Sequence, residues 1–482
     1  MEEQKASEST SAAAPAKGRG MWIGVVVVAI VIVILLAAVF GGLLSGPPDN
    51  RTPEAVYHVG YPGDAGKYLP SLWSNRAQWT AKWFFSEGLK DQTFIDQLKT
   101  QGINVTQIVG TAPTTSDDPT ILQSATAFNE NYSARFGGGV PGLFAPHGYD
   151  GLFLIALAMA QSNTTDVTNA SFRQAMRDVS SPPGTAIRPG EWGKALGEFG
   201  AGRDIDYIGA SGANNFDQYG EVGSDYEVWG VNSTGQIIRK QFIPEGSWSP
   251  APPAPAPQIG TRSDDHPKLL LSDINIGVIV SLTGSLAVFG PDISNATTMA
   301  MEQINGNGGL WGGSITLVVQ DDATTPATGA QAATNMIANN NVKAIIGSLA
   351  SSVSQAVYDV AKPANVLVMS PASTSPLFTN YDTVDLFWRT APSDALQGRA
   401  AALYAYRDAG WRTVSIFHIN NAYGTGLGDV FAQAFTDRGG VILRNVGYEA
   451  NLASYDSELN SVFTPGAQRA PPAPVSRRPE DR

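Results

Sequence analysis

Two short stretches carry groups suited to gripping a charged solute. After the apolar run VKAIIGS comes LASSVSQA, so Ser351 and Ser352 stand where a helix begins, beside unpaired amides and the positive end of its dipole. That is a seat for an anion. After the next run, VLVMS, comes PASTSP, in which Pro371 sets a turn while Ala372, Ser373 and Thr374 present backbone groups and hydroxyls. Glu87, in FFSEG, follows an apolar aromatic run directly, where a carboxylate is costly without a positive partner. Each also has a plain structural reading: serines before a helix cap it, and a glutamate at a helix start complements the dipole.

Other patterns offer less chemistry. YGTGLG, residues 423–428, follows a strand and opens a helix, but its glycines miss the G-x-G-x-x-G spacing and no acid ends the next strand, which argues against a dinucleotide. Asp321 and Asp322, in VVQDDATTP, have no third ligand and read as solvated loop acids. His58, His147, His266 and His418 lack metal-ligand spacing, and neither GASGA nor GSLASS keeps G-x-S-x-G. No catalytic residue, metal or cofactor is expected.

The elements that must position these groups alternate. From residue 268 to about 465, near-continuous apolar strands (INIGVIVS, SITLVVQDD, VKAIIGS, VLVMS) alternate with helical segments such as DISNATTMAMEQIN, whose Ile293, Ala296, Ala300 and Ile304 fall on one face. This is a doubly wound α/β pattern. A second pattern opens at RTVSIFHINNAYGTGLG and stops after about two strand-helix units, too few for a stable lobe. Similar units, PEAVYHVGYPGDAGKYLPSLW and INVTQIVGT, lie at the other end of the chain, before their expected partners.

Taken as residues 268–467 followed by 53–244, the chain resembles one complete type I periplasmic binding protein of the leucine/isoleucine/valine-binding family of ABC-transporter receptors. The motifs are INIGVIVSLTGSLAVFG, GSLASSVSQA, MSPASTSP, FWRTAPSDALQGRAAA, NNAYGTGLGDVF, YDSELNSV, HVGYPGD, FFSEG and PHGYDGLFLIALAMA. The order implies a circular permutation; a remnant of tandem duplication and an artefact of the gene are the other routes to it. Two Rossmann-like lobes joined by a hinge are expected. Residues 53–250 form the C-terminal half of the binding domain (53–115 in lobe 2, 116–250 mainly in lobe 1). Residues 251–267 are a Pro/Ala linker, 268–467 the N-terminal half (268–392 in lobe 1, 393–467 in lobe 2), and 468–482 a tail.

The resemblance also implies roles. The carboxylate of a bound amino acid sits on Ser351 and Thr374, among Ser352 and Ser373, and the Ala372 carbonyl faces its ammonium. Glu87 is the ammonium's counter-charge. Tyr61 and Tyr423 close over the ligand from the second lobe, Phe289 forms the first-lobe wall, and the hinge passes through residues 389–394. The expected function is a non-enzymatic receptor serving ABC permease subunits, with the ectodomain of a membrane sensor or chemoreceptor as the alternative.

Composition is compatible with this. With 482 residues, 43% of them hydrophobic, the chain can bury a sizeable core; a net charge of -12 offers no basic face for nucleic acid. Cysteine is absent, which removes disulfides, thiolate sites and lipid attachment through an N-terminal Cys. Residues 21–45 form an uncharged apolar run long enough to span a bilayer, since a spanning helix needs roughly 20 residues. Lys5, Lys17 and Arg19 before it place residues 1–20 in the cytoplasm and the binding domain outside the cell.

Overall fold

The structure, a computed structural model, describes residues 51–74, 81–247 and 271–463. The apolar run 21–45, the 251–267 linker and the 468–482 tail lie outside them; among the described residues no helix is long and apolar enough to cross a membrane.

Fourteen strands are present among the described residues: β1 (Ala55–Val59), β2 (Lys82–Phe85), β3 (Val109–Thr114), β4 (Thr185–Ile187), β5 (Ile205–Tyr207), β6 (Asp225–Val231), β7 (Ile237–Ile243), β8 (Ile274–Val280), β9 (Ile315–Asp321), β10 (Val342–Gly347), β11 (Leu367–Ser370), β12 (Phe387–Arg389), β13 (Thr413–Ile419) and β14 (Val441–Tyr448). One sheet has the order β14-β13-β1-β2-β3-β6-β7, a second the order β12-β11-β10-β8-β9, and β4 pairs with β5 alone. The second sheet is parallel throughout, as its apolar strands require of a layer covered on both faces.

In the first sheet β1 runs parallel to β13, with Ala55 opposite Val414 and Val59 opposite His418, and parallel to β2 on its other side. Every residue of β1 and β13 is buried. These strands are central, and neither end of the chain supplies the sheet alone. Residues 225–243 also belong here, although most of 116–250 was expected in the other lobe. β6 pairs antiparallel with β3, and β7 with β6, leaving the more exposed β7 as the edge in place of the buried β3.

Helices fill the layers between and around the sheets. Ile293, Ala296, Ala300 and Ile304 are fully buried on helix Gly290–Gly306, as their spacing predicts. This helix packs against Ala145–Ser162, an apolar helix buried almost all round. The two cross closely at Gly148, where a Cβ would lie 2.8 Å from Ile293 Cγ2. A larger residue there would force the helices apart.

Candidate functional site

The strand ends of the two sheets converge on one cavity, as open α/β sheets favour. It is a narrow cleft, with about 320 Å3 of space not filled by atoms once the part open to solvent is included. Glu87, Gly88, Tyr61 and Tyr423 line it from the first sheet; Ser351, Leu349, Ala372, Leu286, Phe289 and Phe144 line it from the side of the second.

Glu87 opens the short turn Glu87–Leu89 immediately after β2 and is 2% exposed. Its Oε2 accepts a hydrogen bond from the side-chain amide of Gln397. Burial pushes its carboxyl up to about 7, against the pull of the Tyr423 hydroxyl and the Gln397 amide. Gly88 beside it has no room for a side chain: a Cβ would lie 2.7 Å from the Gly60 carbonyl oxygen and 2.9 Å from the Tyr423 hydroxyl. Tyr61 and Tyr423 stack, and their hydroxyls are engaged, Tyr423 donating to Ser86 Oγ (2.9 Å) and Tyr61 accepting from Asn421 (3.1 Å).

On the opposite wall, Ser351 is the first residue of helix Ser351–Ala361, and its Oγ accepts from the backbone amide of Ser375 (3.2 Å). Because that bond occupies an oxygen lone pair, the Ser351 hydroxyl hydrogen remains available to an anion. Phe289 meets Phe144 edge-on, centroids 6.0 Å apart, forming the apolar part of the wall.

Six of the nine expected residues therefore line the cavity: Tyr61, Glu87, Phe289, Ser351, Ala372 and Tyr423. Ser352, Ser373 and Thr374 do not. Ser352 is half-buried on the next position of its helix. Ser373 is fully buried, its Oγ bonded to Ser354 Oγ (2.7 Å) and to the Leu349 carbonyl (3.1 Å), so it ties two loops together. Thr374 Oγ1 donates to Asp394 Oδ2 (2.7 Å), so its hydrogen is committed to a carboxylate. Asp394 is itself fully buried; burial and the nearby charge of Glu87 hold its carboxyl well above the usual range.

Asp322 also departs from expectation. Far from solvated, it is fully buried and accepts from Ser281 Oγ (2.6 Å), Ser348 Oγ and the Thr324 amide, joining the loops after β8, β9 and β10. Among the described residues no cluster of His, Asp and Glu could hold a metal ion. Of the wall residues missed from sequence, Gly88, Leu286 and Leu349 lie inside recognised motifs and Phe144 just before one, but none bears a polar group that would mark it.

Comparison with known proteins bears on this geometry. The periplasmic binding protein family profile matches residues 273–468. A Leu/Ile/Val-binding protein homologue of Brucella melitensis is 35% identical over 193 residues, 40% of this chain and 51% of that protein. The Leu/Ile/Val-binding protein of Escherichia coli K12 is 32% identical over 33% of this chain and 42% of its own. Over these residues the chain is similar to periplasmic binding proteins. A solved leucine-binding protein from Thermotoga maritima covers 39% of this chain and 52% of its own at 30% identity, TM-score 0.36. The chain thus spans about half the length of the curated relatives it matches. The matched periplasmic binding protein segment contains Phe289, Ser351, Ala372 and Tyr423, whereas Tyr61 and Glu87 lie outside it.

Proposed function

We propose that this chain is a circularly permuted solute-binding receptor that holds a free amino acid with an apolar side chain between its two sheets and hands it to the permease subunits of an ABC importer. The observation that carries the reading is the cavity itself. A buried carboxylate, Glu87, lines one wall, and a helix start with an available hydroxyl, Ser351, lines the other, so the two ends of a zwitterion meet opposite charges. Phe144, Phe289, Leu286 and Leu349 supply an apolar surface for a side chain. No nucleophile-base pair lines the cavity among the described residues, and the role assigned is binding.

The permutation is supported by the parallel pairing of β1 with β13, which builds one sheet from both halves of the chain. The apolar run 21–45 is proposed as a single membrane anchor, with its N-terminal side cytoplasmic and the binding domain extracellular. Thermal-shift screening of the full-length protein against amino acids, their amides and the corresponding amines identifies the ligand class. Titration calorimetry on the best ligand then compares wild type with Glu87→Gln. Loss of one partner of a desolvated charge pair costs about 2–5 kcal/mol, so affinity for an amine-bearing ligand falls at least tenfold. Unchanged affinity, or a best ligand with no amine, removes the zwitterion reading.

A further inference from the structure

The loop that backs Ser351 has its side chains tied to Ser354, Leu349 and Ala422, and its carbonyls face one short segment at the end of β12. Arg389 Nη1 donates to the carbonyl oxygens of Ser373 (3.1 Å) and Ser375 (2.8 Å), and the amide of Asp394 donates to the carbonyl of Thr374 (2.7 Å). Three consecutive carbonyls therefore face residues 389–394. In a trans peptide the N–H points away from its C=O, so fixing the Thr374 carbonyl also fixes the Ser375 amide. That amide is the donor to Ser351 Oγ (3.2 Å).

Arg389 does not hold this position unaided. It is 1% exposed, and its Nη2 donates to Glu221 Oε1 at 2.5 Å, Glu221 being only 6% exposed. The Arg389 amide also donates to the Gly220 carbonyl (3.1 Å). A guanidinium can make these forked contacts because its donors lie in one rigid plane; an ammonium has no such fork. Burying this ion pair is costly, which makes it weak as a stabilising device and stronger as a device for fixing geometry.

We propose that Arg389, anchored by Glu221, is a positioning residue for carboxylate recognition. By holding the Ser373 and Ser375 carbonyls on either side of the Thr374 carbonyl, which the Asp394 amide holds, it keeps the Ser375 amide against Ser351 Oγ, and the Ser351 hydroxyl hydrogen is thereby aimed at the ligand's carboxylate. Neither Arg389 nor Glu221 lines the cavity. The inference rests on the amino-acid reading above, and it assigns the clamp to one end of the ligand only.

That one-sidedness supplies the test. Full-length wild type, Glu221→Gln, Arg389→Lys, Ser351→Ala and the double variant Glu221→Gln/Ser351→Ala are first checked for cooperative thermal unfolding. L-leucine, L-leucinamide, which lacks the carboxylate, and 4-methylpentanoate, which lacks the amine, are then titrated calorimetrically. The expected result is that Glu221→Gln or Arg389→Lys lowers the leucine/leucinamide affinity ratio at least fivefold while leucinamide affinity stays within twofold of wild type. In the Ser351→Ala background, Glu221→Gln moves the ratio no further. A clamp that merely maintains the fold would weaken both probes equally; that outcome, or an unchanged ratio in a folded variant, overturns the proposal. If Glu221→Gln does not fold, Arg389→Lys, alone and combined with Ser351→Ala, is read in its place. Wild type that binds none of the three probes overturns the amino-acid reading itself, a result distinct from binding whose ratio the variants leave unmoved.

Discussion

Tyr61, just after β1, and Tyr423, just after β13, stack with ring centroids 5.6 Å apart and planes within 7° of parallel. The parallel pairing of those strands places both rings at the same end of the sheet, over the cavity. Tyr423→Phe keeps the stack and loses the hydroxyl that bonds Ser86 and faces Glu87, so about 1 kcal/mol of stability is lost. Tyr423→Ala removes a ring that is 4% exposed and costs about 3–5 kcal/mol. Urea unfolding of the two variants beside wild type separates these outcomes, and equal losses would deny the ring its packing role.

Glu87 makes both stability and binding depend on pH, in opposite directions. Between its ordinary value of 4.5 and about 7, the folded, ligand-free chain keeps a proton on Glu87 that the unfolded chain has released. The stability linked to that proton is therefore complete below 4.5 and lost as pH rises through about 7. Asp394 shares this behaviour, since burial and then the nearby charge of Glu87 hold its carboxyl up, and the two titrate as a coupled pair. A ligand ammonium requires the ionised form, so affinity climbs as pH rises towards 7 and then levels off. Denaturation and calorimetry across that range should show both trends, and Glu87→Gln should flatten the binding trend while the part of the stability trend that Asp394 carries persists.

The strand pairing predicts how the chain behaves when cut. A protease site introduced between residues 250 and 256 should yield two fragments that elute together in native buffer and separate in urea, because β1 lies hydrogen-bonded between β13 and β2. Fragments that part in native buffer would mean that the first sheet is not shared.

Much of this architecture was legible because strands and helices announce themselves by period: the apolar runs of β8, β10 and β13 and the buried face of helix Gly290–Gly306 all appear where the pattern puts them. Glu87 was legible too, as a charge in apolar company. Thr374 and Ser373 were not, because a hydroxyl in a loop looks the same whether it faces a ligand or a neighbouring side chain, and here the partners are Asp394 and Ser354. Asp322 misled for the same reason: an acid at a strand end reads as solvated until the Ser281 and Ser348 hydroxyls that receive it are placed in space. The return of β6 and β7 to the first sheet depends on which edge needs covering, a property of the assembled sheet that local pattern does not carry.

The place of β1 in its sheet sets a timetable for synthesis. Glu54, just before β1, and Thr413, the first residue of β13, are joined by a backbone hydrogen bond of 3.0 Å although 359 positions separate them. A ribosome adding roughly 5–20 residues per second needs on the order of 20–70 s to cover that interval. Throughout it β1 has emerged while one of its two neighbours does not yet exist, and a strand buried on both faces in the finished protein offers an open apolar edge to whatever is nearby. Cells that make this chain must shield that edge for most of a translation cycle, so its yield should track the supply of chaperones that hold nascent strands more steeply than the yield of a receptor whose neighbouring strands follow one another in the message.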